Sequence, residues 1–213
     1  MAIVAASAQD KQFTEDLMQT DCAFEMTGRN RYFILEPGYQ LTLENNKGGR
    51  LVITVLNETK KIGNVKTRVV EENESENGKT IEISRNFFAF CKQTGSTYYF
   101  GEEVDLYKNG KIAKGEDAWT VGGKNRAGVI MPGLALLGAR YFQEIAPGVA
   151  MDRAEIISTS ETITTPAGNF THCLKTEETT PLKPKEKEYK FYAPGIGLIQ
   201  ENDLLLTNHG FGK

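Results

Sequence analysis

The chain has 213 residues, 39% of them hydrophobic and 25% charged, with a formal net charge of -3. That length suits one all-β domain with a core large enough to fold without extra cross-links. The charge balance offers no basic patch for nucleic acid. No apolar run reaches the ~20 residues of a membrane helix. The longest run, AGVIMPGLALLGA (127–139), is broken by Pro132 and glycines.

The first stretch, MAIVAASAQDKQF, has a short apolar segment, then Ala6-Ser7-Ala8, then polar residues. Residues 1–8 read as the remnant of a secretory signal with an A-x-A site, which implies a secreted or periplasmic location. Residues 9–30 form a polar segment, with one or two helical turns expected over 13–18. Residues 31–206 read as a single β-domain, and 207–213 as a flexible tail.

Within the domain, apolar and polar residues alternate with the period of strands. GYQLTLEN (38–45) turns into RLVITVLN (50–57), and VKTRVVEEN (65–73) turns through SENG into KTIEISRNFFAFCK (79–92). The adjoining acids Glu71 and Glu72 suit a solvated hairpin tip. STYYFGEEVDLYK (96–108) ends at Asn109-Gly110, the strongest short hairpin signal. Residues 115–139 lose alternation and read as a long loop that holds the one tryptophan, Trp119. Strands resume at RYFQEI (140–145), at 151–165, at NFTHCLKTEETT (169–180) and in a final hairpin around YAPGIGL (192–198). Pro194 and Gly195 suit a type II turn there.

Cys22, Cys91 and Cys173 have no metal-ligand spacing. In an exported chain two of them could pair, and the sequence does not choose which. With two histidines, His172 and His209, one chain cannot build a three-histidine zinc site. There is no nucleophile elbow, P-loop or dinucleotide fingerprint. His172 and Cys173 are adjacent on a strand, so their side chains diverge.

The uncomfortable residue is Glu102. In YYFGEEVDLY it shares a stripe with Tyr98, Phe100, Val104 and Leu106. Either a bulge at Gly101 shifts the alternation and puts Glu102 in water, or the carboxylate faces the interior. In the second case it must be neutral, paired or metal-bound. Parity brings Arg68, Asp152 and His172 to apolar faces of other strands, as possible partners. Glu102, His172 and Asp152 are therefore the candidate catalytic residues. Arg68, Phe88, Phe90, Tyr98, Phe100, Trp119 and Tyr141 are the candidate ligand-binding residues, with Phe191 and Tyr192 as further aromatic wall. Trp119 also suits a plug at the end of a barrel. Glu103, Asp105 and Glu155 are oxygen donors of the kind that suits calcium or magnesium, but solvated surface is the simpler reading. No metal and no cofactor are expected.

YYFGEEVDLYKNGK, GVIMPG, TTPAGNF and YKFYAPGIGLIQ, with RYFILEPGYQLTLE and TRVVEE, resemble in order the signature segments of a family of exported bacterial β-rich proteins. Its patterns read YFGEDVxxYxxGK, GIVMPA, VPAGTF and KYYAPGVGLV. The resemblance spans most of 31–206 and implies export and a β-rich fold, but no activity. It carries over Glu102, Glu103, Asp105 and Glu155. It does not carry over His172, where the family pattern has an acid.

The expected fold is all-β: one strongly curved antiparallel sheet forming a barrel or half-barrel, resembling lipocalin-like or lipoprotein-carrier cups, with a β-sandwich as the alternative. The leading function is a binding protein holding a small-molecule or lipophilic ligand in the cup. Alternatives are a metal-independent hydrolase, isomerase or cyclase using Glu102 and His172, and an envelope interaction protein without small-molecule chemistry. No nucleic acid partner and no transmembrane segment are expected, and the oligomeric state is left open.

Overall fold

A computed structural model describes residues 11–108, 110–113 and 118–212. The signal-like residues 1–8 and Asn109 lie outside that set. Short strands come first: β1 (Phe24–Glu25), β2 (Gly28–Arg29) and β3 (Ile34–Leu35). The meander follows as β4 (Tyr39–Glu44), β5 (Gly49–Ile62), β6 (Val65–Glu76), β7 (Lys79–Cys91), β8 (Thr97–Lys108) and β9 (Lys111–Ala113). Next come β10 (Trp119–Thr120), β11 (Arg126–Met131), β12 (Arg140–Phe142) and β13 (Glu144–Ile145). The chain ends with β14 (Arg153–Thr165), β15 (Gly168–Thr179), β16 (Glu188–Ala193), β17 (Gly197–Glu201) and β18 (Leu204–Phe211).

The main sheet runs β12-β14-β15-β16-β17-β18-β4-β5-β6-β7-β8-β11-β13. It is antiparallel and nearly closed into a barrel, with one unsealed seam. The expected curved sheet forms, and the sandwich does not. The seam lies where β12 and β13, at opposite ends of the strand order, are joined by Gln143 alone. Backbone N–H groups of Gln143 and Glu144 both donate to the Asp152 carbonyl, at 2.7 and 3.1 Å. Gly128 lets β11 approach this corner: a Cβ there would meet the Gln143 carbonyl oxygen at 2.2 Å.

Turn chemistry explains the local connections. Asn77 and Gly78 have φ of 49° and 75° between the paired residues Glu76 and Lys79, as a type I′ hairpin requires. Lys108 pairs with Lys111, so the expected hairpin around Gly110 is present. Ile196 N–H donates to the Ala193 carbonyl with Gly195 at φ 72°, which matches a type II turn.

Three expectations are corrected. The stretch 13–18 is not helical: Thr14 bridges Tyr141, and the only helical turn among the described residues is 3-10, at Gln19–Asp21. The region 115–139 is not one loop, because β10 and β11 pair with β8. The tail is not loose: β18 continues to Phe211, hydrogen-bonded to β4. Period-two patterning is weak in such short or mixed segments, and their pairing is supplied by strands distant in sequence.

A disulfide joins Cys22 to Cys91 across 69 residues, and Cys173 is a buried free thiol. The bridge fastens the N-terminal segment along β7, beside the Phe24–Cys91 pairing. Phe24 stacks edge-on against Tyr98 and Phe100 at 5.3 and 5.2 Å, so this segment covers the outer side of β8. Cross-linking a loop of this length restricts the unfolded chain. Replacing both Cys22 and Cys91 with Ala is expected to lower the urea-unfolding free energy by about 2–4 kcal/mol. A reduced wild type should show the same loss.

Candidate functional site: an acid-lined barrel cavity

The barrel interior is not filled. A cavity of ≈ 360 Å³ lies among β4–β8, the seam and β16–β17. Its walls change character along the strands. On β6 the inward residues run Val70, Glu72, Glu74 towards the β6–β7 hairpin. On β7 they run from Phe88 through Asn86 and Ser84 to Glu82. Leu41, Val55, Phe33 and Leu198 line the apolar end. Glu102, Glu144, Asp152, Glu178 and Glu201 add to the acids, with Lys190 as the only basic residue among the described residues lining the cavity. Five of these, Glu102, Glu144, Asp152, Glu178 and Lys190, also line an outer chamber bounded by Val149, Leu182, Lys183 and Glu186. The acidic band therefore stands between the inner cavity and this outer recess.

A bulge brings Glu102 into the cavity. Asn86 pairs with Glu102 and Phe88 with Tyr99, so Phe87 alone faces both Phe100 and Gly101. Gly101 has φ 135°, and a Cβ there would meet the Trp119 carbonyl oxygen at 2.2 Å. The extra residue changes the parity. Tyr99 and Glu102, three apart, come to share the inner face, and Tyr99 Oη–H donates to Glu102 Oε2 at 2.9 Å. Tyr99 Oη also bonds Asn86 Oδ1, so its single proton serves two acceptors. The bulge expected at Gly101 is present, but it does not put Glu102 in water: the carboxylate lines the cavity, as the second alternative has it. It is Tyr98 and Phe100 that leave the stripe.

Lys190 sits within the acidic band. It pairs across the strands with Glu201 and bonds that carboxylate at 3.0 Å and Glu178 at 3.2 Å. Burial would lower its pKa, but Glu178 and Glu201 outweigh burial and hold it well above the usual lysine value. Glu178 also accepts from Gln143 Nε2 and Thr176 Oγ1, both at 3.2 Å, and from Tyr192 Oη at 3.4 Å. Other acids are pushed towards the neutral form. Burial raises Glu72 to about 8, with Glu201, Glu74 and Glu102 adding to it and Lys190 opposing. Burial also raises Glu74, and it raises Glu144 strongly with help from Glu102 and Asp152. Desolvation at the rim raises Asp152, against a hydrogen bond from Thr180.

The other expected site residues are dispersed. His172 is exposed at φ 54° on an irregular part of β15, and its carbonyl accepts from Tyr32 Oη–H at 3.1 Å. It forms no acid–base pair in the cavity. Arg68 is buried but does not line the cavity. Its guanidinium donates to the carbonyls of Met26, Leu56 and Glu58 at 3.1–3.4 Å. Tyr98 bonds the Leu17 carbonyl, Phe100 packs on Phe24, and Phe90 packs on Gly28. Tyr141 is buried outside the cavity wall. Trp119 backs the site: its Nε1–H donates to Glu144 at 3.3 Å, and its ring meets Tyr99 edge-on at 5.5 Å. Phe88 and Tyr192 do line the cavity, as do Glu102 and Asp152. Glu103 pairs with Lys60, and Glu155 with Lys11 and Arg140. Among the described residues no three His, Cys, Asp or Glu side chains form a group that could hold a metal ion.

Glu74, Glu144, Glu178, Lys190 and Glu201 are not among the site residues expected from the sequence, and Glu72, expected at a solvated hairpin tip, lines the cavity instead. For Glu72 and Glu74 the signal existed: acids at period two continuing the apolar stripe of Val70, the same pattern that marked Glu102. Comparison of the chain with models of protein families, with curated proteins and with solved structures gives no match.

Two outcomes are expected. Glu72 has a raised folded pKa, so its contribution to stability is fully present below the ordinary value of 4.5 and is lost as pH climbs through about 8. Thermal midpoints of wild type should therefore fall over that window, and Glu72→Gln should flatten the fall. Lys190→Met removes the cation between two carboxylates. It should destabilise the protein by on the order of 3 kcal/mol near pH 8 in urea unfolding; a change within ~0.5 kcal/mol would mean the pair is not structural.

Proposed function

We propose that the protein is a binding protein that holds a small molecule inside its barrel, outside the reducing cytosol. The carrying observation is the ≈ 360 Å³ interior space. Close-packed interiors leave few voids larger than a water molecule, and this one falls within the size range of small-ligand sites. Apolar residues wall one end and polar groups converge at the other, the usual composition of such sites. The Cys22–Cys91 disulfide is consistent with a secreted or periplasmic address. No helix among the described residues is long and apolar enough to cross a membrane. The acid–base enzyme reading loses its support with His172 outside the cavity. A second reading, contact with another envelope component, is favoured by one observation: Leu134, Leu136 and Leu137 are 71%, 56% and 69% exposed on one loop.

The test is titration with the neutral apolar fluorophore N-phenyl-1-naphthylamine. Saturable enhancement with one site per chain is expected. Filling the apolar end by Val55→Phe, or separately by Val70→Phe, should weaken it at least about tenfold in protein that keeps its circular dichroism. No enhancement in wild type, or unchanged binding in both folded variants, would refute the cup.

A further inference from the structure

We propose that the occupant of the barrel is an organic cation: a molecule with an apolar body and a protonated nitrogen that donates hydrogen bonds. This rests on the binding-cup reading above and names its ligand class. The first observation is charge. Eight carboxylates and one ammonium line the cavity among the described residues. That ammonium, Lys190, is already committed to Glu178 and Glu201. Glu72, Glu74 and Glu144 are left crowded in a poorly solvated space, where ionised carboxylates are unfavourable unless a cation joins them.

The second observation is independent of the acids. Gln143, at the seam, is 3% exposed and lines the cavity. Its Nε2 donates to Glu178, but its Oε1 is buried with no hydrogen-bond partner. A buried amide oxygen without a donor is unfavourable by itself. It can only accept, so the group that satisfies it must carry an N–H or O–H.

Together these features select the ligand. An anion finds one cation in the wall, Lys190, and that cation is already held by Glu178 and Glu201. A metal ion needs converging oxygens, and no such group of side chains exists among the described residues. A purely apolar molecule gives no donor to Gln143 Oε1 and no cation to the crowded Glu72 and Glu74. An alkyl- or arylalkyl-ammonium matches the gradient along β6 and β7: its body lies against Val55, Val70 and Phe88, and its nitrogen lies towards Gln143 and Glu72. Charge-assisted hydrogen bonds to carboxylates are the strong class.

The experiment is displacement of N-phenyl-1-naphthylamine from the full chain near pH 8 by four probes of equal chain length: decylamine, decyltrimethylammonium, decanol and decanoate. At about that pH the alkylamine is protonated. Decylamine is expected to compete at a concentration at least about tenfold below decanol, with decanoate weakest. Decyltrimethylammonium has charge but no N–H, and should fall between decylamine and decanol. In the double variant Glu72→Gln/Glu74→Gln, the preference for decylamine over decanol should shrink by about fivefold or more. Fluorophore binding with equal displacement by decylamine, decanol and decanoate would overturn the cation proposal and leave the cup standing. Absence of fluorophore binding would bring down the cup, and the cation proposal with it.

Discussion

The structure depends on how the two ends of one sheet meet. β12 and β13 are neighbours in the chain but opposite ends in the strand order, with Gln143 between them. A single residue therefore has to bridge two edges that would otherwise lie open to other chains. The Asp152 carbonyl accepts both corner N–H groups, and Gly128 gives the backbone room to come close. A corner this tight cannot hide its side chains. Gln143, Glu144 and Asp152 all line the cavity. The closure of the barrel thus supplies one part of the polarity of its interior.

The second constraint is electrostatic. Lys190 is held between Glu178 and Glu201, and Glu178 gathers further donors from Gln143, Thr176 and Tyr192. A core optimised for stability alone would replace this cluster with well-packed apolar residues, which are often as stable or more so. Local breaches of the inside–outside rule in natural proteins tend to mark function. Here the breaches are contiguous: the seam, the bulge at Gly101 and the acidic band adjoin one cavity. The cavity is apolar where the strands obey the rule and acidic where they do not.

Much of this was legible in the sequence, in proportion to how local its cause was. Alternation from Gly38 to Lys108 shows a meander because period two is written into each strand. The turns at 77–78 and 194–195 are legible because Asn, Gly and Pro restrict φ by their own chemistry. The site was legible only in part. Glu102 stands out as an acid on an apolar stripe, but alternation puts Tyr98 and Phe100 beside it where the structure has Tyr99, because the bulge reverses parity between Tyr99 and Glu102. Glu72 reads as a hairpin tip, but β6 stays paired with β5 and β7 out to Glu76, which leaves Glu72 within the strand rather than at the turn. Counting from Phe170 and Leu174 points His172 inward, and its left-handed backbone breaks that count. Closure through β18 and the seam is a matter of partners far apart in the chain, which no local pattern records.

The pairing of β18 with β4 has a consequence for when the protein comes into being. Thr207 bonds the carbonyl of Thr42 across a separation of 165 residues. A chain emerging from its N-terminal end can zip β4 through β8 by neighbour-to-neighbour hairpins, but β4 keeps a bare edge until β18 arrives. Such distant pairings slow folding, and an unpaired edge left waiting invites contact with other chains. The barrel thus stays open along β4 until that distant pairing forms. The wall of the cavity is complete on this side only when β18 returns to β4, so the hollow interior depends on the pairing most distant in sequence.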